Sequence, residues 1–196
     1  MKKKVLVGFL GVQVDIEGWK PTISLLKDPS LSIDRFELLY NDSSHEHLAQ
    51  SLKHEIVNIS PKTEVCLRLI DLSDPWDFES VYHKLLDFTD QYSFSNNEEY
   101  LINTTTGTHV IQICLFLLTE SRRIPGKLIQ VVPRNLNDAP NRHKSFRIID
   151  LELDRYNSIS KRFAIEVSKG VSFLKDGIKT KNNYYNDLIK EIGEIS

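Results

Sequence analysis

The sequence predicts an α/β fold: a mostly parallel six-stranded sheet with helices on both faces and an antiparallel pair at one edge. Three observations carry that expectation. Compact apolar runs alternate four times with segments whose apolar residues recur at helical spacing, the pattern of consecutive βα units. The fifth and sixth apolar runs have no helical pattern between them, which suits an antiparallel edge pair. At 196 residues and 40% apolar, with only 8 Gly and 7 Pro, the chain can bury a core and lacks the composition of disordered or collagen-like proteins.

The elements follow in order. Residues 4–9 make a buried first strand that opens at Gly8-Phe9-Leu10-Gly11 into a loop over 10–19. Pro21 suits a first helical turn and predicts a short helix over 21–27. The second strand covers 33–40. Asn41, Asp42, Ser43 and Ser44 then offer caps for a helix with Leu48, Leu52, Ile56 and Ile59 on one face. The third strand, 64–72, stops at Ser73-Asp74-Pro75. Phe78, Val81, Tyr82, Leu85, Leu86 and Thr89 then trace a one-sided helix. A fourth strand, 99–104, leads through a polar turn, 104–109, into a helix ending near Arg122. Strands over 126–132 and 146–153 flank a long, basic connection with Arg134, Arg142, His143 and Lys144. It reads equally as a functional loop and as a plain surface loop. Ile159, Phe163, Val167, Val171 and Leu174 form a further helical stripe, Gly177 interrupts it, and Tyr185, Leu188, Ile189, Ile192 and Ile195 form a last amphipathic segment.

Composition removes several function classes. A net charge of −2 argues against a broad basic face, so direct DNA binding is not expected. Two Cys make neither a disulfide framework nor a paired-Cys zinc site. Cys66, in a strand, and Cys114, in an apolar helix, read as inert core residues. The Met-Lys-Lys-Lys start lacks a signal-peptide cleavage site, and Asp15 and Glu17 follow closely. The apolar stretch 110–118 is too short to span a bilayer and holds Gln112. The expectation is a soluble, cytoplasmic protein without a membrane partner. No G-x-x-x-x-G-K-[ST] loop is present, so no ATPase activity is expected of this chain. His45 and His47, two apart without a third ligand, read as solvated, and neither a metal nor a cofactor is expected. Trp76 reads as a core aromatic.

In open parallel sheets ligands bind beyond the carboxyl ends of the strands, where strand order reverses. That rule singles out the first and fourth βα turns. The first supplies Gly8, Leu10 and Gly11; the fourth supplies Asn103, Thr104, Thr105, Thr106, Gly107, Thr108 and His109. Gly107 permits close backbone approach, the following helix presents free N–H groups, and the hydroxyls add uncharged donors. The set suits a phosphate or a ribose; the plainer reading is that the Thr residues only cap the helix. That helix, 108–120, has almost no polar face, which implies burial on its far side by a second subunit or by the rest of the monomer.

These features together resemble the CARF family, the CRISPR-associated Rossmann-fold sensor domains. Asn103 and Thr105 match the family's usual fourth-turn motif, and His109 stands where that motif has Lys or Arg. Within the family the sequence is most similar to the RtcR branch, the sensor domains of sigma-54-dependent activators of an RNA-repair operon. The similarity runs nearly the length of the chain. It includes Val7-Gly8-Phe9-Leu10-Gly11, Trp19-Lys20-Pro21-Thr22, Pro75-Trp76-Asp77-Phe78-Glu79, Thr104-Thr105-Thr106-Gly107-Thr108-His109-Val110, Ile148-Ile149-Asp150-Leu151 and Arg155-Tyr156-Asn157.

The resemblance implies a Rossmann-like sensor over 1–175 and a linker or helix over 176–196 leading toward an AAA+ ATPase that this sequence does not contain. It implies a regulatory domain that binds an RNA end with a 2′,3′-cyclic phosphate, or a linear or cyclic oligoadenylate, and controls the neighbouring ATPase. It also implies a homodimer through the helix 108–120. The alternative is a metal-independent nuclease of cyclic oligoadenylate, with His109 and Thr105 as its catalytic candidates.

Overall fold

A computed structural model describes residues 2–17, 19–132 and 145–149. The expected helical stripe over 159–174, the segment 176–196 and the connection 133–144 lie outside the described residues.

Six strands form one sheet: β1 (Lys3–Phe9), β2 (Arg35–Asn41), β3 (Glu64–Ile70), β4 (Glu98–Asn103), β5 (Gly126–Val131) and β6 (Phe146–Ile149). Their spatial order is β3-β2-β1-β4-β5-β6, with every pair parallel except β5 with β6. The α/β class, the mostly parallel sheet and the antiparallel edge pair expected from the sequence are therefore present. Of the sixth predicted strand, 146–149 pairs as expected and 150–153 lies outside the described residues.

Helices α1 (Pro21–Lys27) and α2 (Glu46–Ile59) cover one face; α3 (Phe78–Gln91) and α4 (His109–Glu120) cover the other. Alternation in the strands makes the two cores. Leu6, Phe36, Leu38 and Leu101 point to the α1/α2 side, and Val5, Val7, Leu39 and Ile102 to the α3/α4 side. Val5, Leu6, Phe36, Leu38 and Ile102 are all fully enclosed, as the central strands of a two-sided sheet must be. The predicted helix ends hold to within a few residues. Asp77 caps α3 by accepting from the Ser80 N–H, and α4 stops before Arg122, whose φ of 63° turns the chain out of the helix.

Three expectations are corrected. The predicted loop over 10–19 contains a wide helical turn, Val12–Glu17, built around the fully buried Asp15. Asp15 accepts from the N–H groups of Gly11 and Thr22 and from the Thr22 hydroxyl, and so supplies the side-chain cap that Lys20, at the start of α1, does not. Trp76 is not a core aromatic: it is 65% exposed. Cys66 is only half-buried on the edge strand β3, whereas Cys114 is enclosed as expected and burial pushes its thiol up to about 11.

Candidate functional site

Chain order reverses between β1 and β4, which lie side by side with Gly8 opposite Asn103. The turns after these strands must open together at the carboxyl edge, and a cleft of about 620 Å³ lies there. Leu10 and Gly11 line it from the first turn, and Thr105, Gly107, Thr108 and His109 from the fourth. Gly8, Asn103, Thr104 and Thr106, singled out with them in the sequence, are not part of its lining.

Those four residues instead build the turn. Asn103 is fully buried; its carbonyl oxygen accepts from the Thr105 N–H (3.0 Å) and its amide donates to Thr106 Oγ1 (3.3 Å). The Thr106 hydroxyl donates in turn to the Phe9 carbonyl (2.6 Å), lacing the end of β4 to the end of β1. The Thr104 N–H donates to Ile129 O, and Thr105 Oγ1 accepts from the Val131 N–H, lacing the turn to β5. Thr108 caps α4 by accepting from the Ile111 N–H and donates its own proton to the Pro75 carbonyl (2.8 Å). The clustered hydroxyls thus fasten one turn to three neighbours. A Cβ at Gly8 would sit 3.1 Å from the Asn103 Cβ, so that glycine protects the lacing from beneath.

The start of α4 contributes backbone groups to this edge of the cleft. The first N–H groups of α4 have no acceptor within the helix, and Gln112 Nε2 holds the Gly107 carbonyl at 3.0 Å, fixing that peptide. Gly107 has φ 85°, and a Cβ there would lie 3.0 Å from Ile111 Cγ2 and 3.2 Å from Phe9 Cβ. Gly107→Val is therefore expected to destabilise the fold by about 2 kcal/mol or more, through strain inside the turn rather than by filling the cleft. A urea midpoint indistinguishable from wild type would refute this.

The cleft has further walls that the first-and-fourth-turn rule did not name. Asn41, the last residue of β2, and His45 just after it enter from that strand's end, Pro75 and Trp76 from the loop between β3 and α3, Gln13 from the wide helical turn and Gln112 from α4. The described lining includes no Lys, Arg, Asp or Glu. Its two imidazoles are His45, whose Nδ1 lies 3.2 Å from an Asp42 oxygen, and His109 on the exposed first turn of α4. No cluster of three metal-ligating side chains occurs among the described residues, and no helix among them is long and apolar enough to cross a membrane. Such a site can hold a polar ligand through peptide N–H groups, uncharged side chains and one exposed indole.

On the far side of α4 from its own sheet, Ile113 is 51% exposed and Phe116 36%, while Ile111, Cys114, Leu115 and Leu118 are buried. Among the described residues, α4 is packed on its sheet side and open at Ile113 and Phe116.

A Rossmann-like sheet that reverses between β1 and β4, with a cleft over the two turns that follow them, is the fold of CARF domains. Csm6 of Enterococcus italicus, solved with cyclic hexa-2′-fluoro-hexa-dAMP, matches with a TM-score of 0.63 at 14% identity, over 83% of this chain and 46% of that one. Protein VC1899 of Vibrio cholerae matches with a TM-score of 0.53 at 12% identity, over 72% of this chain and 35% of that one.

The particular family is set by sequence. The model of the family "RtcR: Regulator of RNA terminal phosphate cyclase" matches residues 2–177, and this chain belongs to that family. The transcriptional regulatory protein RtcR of Escherichia coli (strain K12) is 44% identical over 205 residues, covering 100% of this chain. The chain spans 38% of the length of that relative.

Proposed function

We propose that this chain is the ligand-sensing domain of a transcription activator, and that its cleft takes a nucleotide product of RNA damage. That product is an RNA end bearing a 2′,3′-cyclic phosphate, or a linear or cyclic oligoadenylate. The observation that carries the reading is the glycine turn at the start of α4, Gly107 to His109, on a cleft of about 620 Å³ in a chain of this regulator family. The volume falls in the range of small-molecule sites. A phosphate there meets peptide N–H groups and a helix N-terminus, and the His109 ring offers a side-chain hydrogen bond. With no fixed cation in the described lining, the ribose and base must carry much of the affinity.

A sensor acts only by binding its two states unequally. Two copies meeting across Ile113 and Phe116 would bring two fourth turns to one axis and form a shared pocket. Ligand would then bias the dimer, and through it an adjoining AAA+ ATPase in the longer protein.

The test is sedimentation velocity of the 196-residue chain with cyclic tetra-adenylate, cyclic hexa-adenylate and a short RNA ending in a 2′,3′-cyclic phosphate, with denaturant extracts analysed by mass spectrometry for nucleotide. A dimer that saturates with one probe is expected. A clean monomer at micromolar concentration removes the shared pocket. Multiple turnover of a cyclic probe would favour the nuclease reading, with His109 and Thr105 in the reacting positions.

A further inference from the structure

We infer that Trp76 is a stacking platform for an unpaired nucleobase, so that the cleft selects single-stranded oligonucleotides over bare phosphates or sugar phosphates. The inference rests on the cleft being a nucleotide site.

Burying an indole gains more than burying almost any other side chain, so a Trp left 65% exposed in a concave site calls for an explanation. The ring stands on the cleft wall, and it makes no ring–ring contact among the described residues.

Its backbone, by contrast, is held on both sides. The Trp76 N–H donates to Asp74 Oδ1 at 2.9 Å, the Pro75 carbonyl accepts from the Thr108 hydroxyl at 2.8 Å, and the Asp77 carboxylate caps α3. The Thr108 bond matters most, because it ties the Trp76 loop to the N-cap of α4. The backbone that carries the indole is therefore fixed relative to the turn expected to hold phosphate. A solvent-facing aromatic on an anchored loop, beside a backbone turn at a helix N-terminus, suits single-stranded nucleic acid, where each base offers a π face. The described cleft lining carries no Asp, Glu, Lys or Arg, and the nearby Asp74 carboxylate accepts from the Trp76 backbone N–H.

The chain has two Trp, and Trp19 lines a separate groove beside Asp28 and Ser145. Trp19→Phe therefore leaves Trp76 as the only tryptophan, read by excitation beyond the tyrosine absorption band. The probes are cyclic tetra-adenylate, a diadenosine dinucleotide ending in a 2′,3′-cyclic phosphate, and the abasic form of that dinucleotide, each titrated by calorimetry and by emission. For a base-bearing probe that binds, emission from Trp76 should be quenched at saturation. Trp76→Ala should weaken that probe roughly tenfold or more, and Trp76→Phe should recover most of the loss. The abasic probe should bind wild type and Trp76→Ala alike.

Equal affinity of wild type and Trp76→Ala for every base-bearing probe, or unquenched emission at saturation, would overturn the inference and leave the sensor reading standing. So would a Trp76→Ala variant that changes only the oligomeric state, which would assign the ring to a protein contact. If wild type binds none of the probes, the nucleotide reading of the cleft fails and this inference fails with it.

Discussion

Glu37→Ala is expected to cost about 3 kcal/mol of stability, the lower end of the range for breaking a buried ion pair. Glu37 lies in the middle of β2, 1% exposed, and three donors converge on its carboxylate: Arg35 Nε and Arg68 Nε at 2.8 Å and the Tyr92 hydroxyl at 2.9 Å. Removing it takes one carboxylate partner from each of two guanidinium groups. Arg35 retains Glu98, with Nη1 to Oε1 at 2.7 Å and Nη2 to Oε2 at 2.9 Å, and Arg68 is 46% exposed and recovers water, which keeps the cost from the upper end.

Glu37→Gln should cost less, since one oxygen still accepts while the new amide faces a donor. Hydrogen bonds from Arg35, opposed by burial and aided by Tyr100, hold the Glu98 carboxyl below the usual carboxylate range. A lowered folded value means that the Glu98 contribution is present above the ordinary value near 4.5 and is lost as pH falls through the folded one. Urea unfolding of wild type, Glu37→Ala and Glu37→Gln at neutral pH decides the matter; a loss below about 1 kcal/mol for the alanine variant would mean that water replaces the network.

Asp15→Ala is the second large effect, with an expected cost of roughly 3 kcal/mol from orphaning the Gly11 N–H, the Thr22 N–H and the Thr22 hydroxyl in a buried setting. The damage should concentrate where those groups lie. Gly11 forms part of the cleft wall and Thr22 the first turn of α1, so hydrogen exchange should rise over 10–26 before it rises in β4.

Burial raises the Asp15 carboxyl pKa above its ordinary 3.8, against the lowering effect of the Thr22 and Gly11 hydrogen bonds. For a raised acid the native state holds its proton more tightly than the unfolded chain. Its contribution is therefore greatest below 3.8 and declines as pH rises through the folded value. The stability of wild type relative to Asp15→Asn should accordingly improve as pH falls toward about 4. A pH-independent difference between the two would place the carboxylate in water rather than in the core.

Neither residue could be singled out from sequence alone. Glu37 sits in an apolar run where a carboxylate looks like an imperfection of alternation, and its partner Arg68 lies 31 positions away on the next strand. Asp15 sits among Gly, Gln and Glu residues that read as loop, and nothing local says that its carboxylate turns inward. The Thr turn shows the same division. Its place at the carboxyl edge, and its role after the fourth strand, follow from the order of strand and helix patterns. The work of its hydroxyls does not: Thr106 Oγ1 reaches Phe9 across 97 residues, and Thr108 Oγ1 reaches Pro75 across 33.

By itself the sequence determined the α/β class, the six strands, four helices matching in position and the two turns that frame the cleft. It did so because side-chain periods of 2 and about 3.6 and the capping residues are local signals, and because parallel strands joined by right-handed crossovers leave few topologies to choose from. Only the tertiary structure decided which side chains face that cleft. It turned Trp76 outward and Asp15 and Thr106 inward, and among the described residues it left Ile113 and Phe116 exposed. Those outcomes depend on strand ends and loops distant in sequence meeting at one edge of the sheet, where the direction of a side chain is set by the partners it finds and not by its neighbours along the chain.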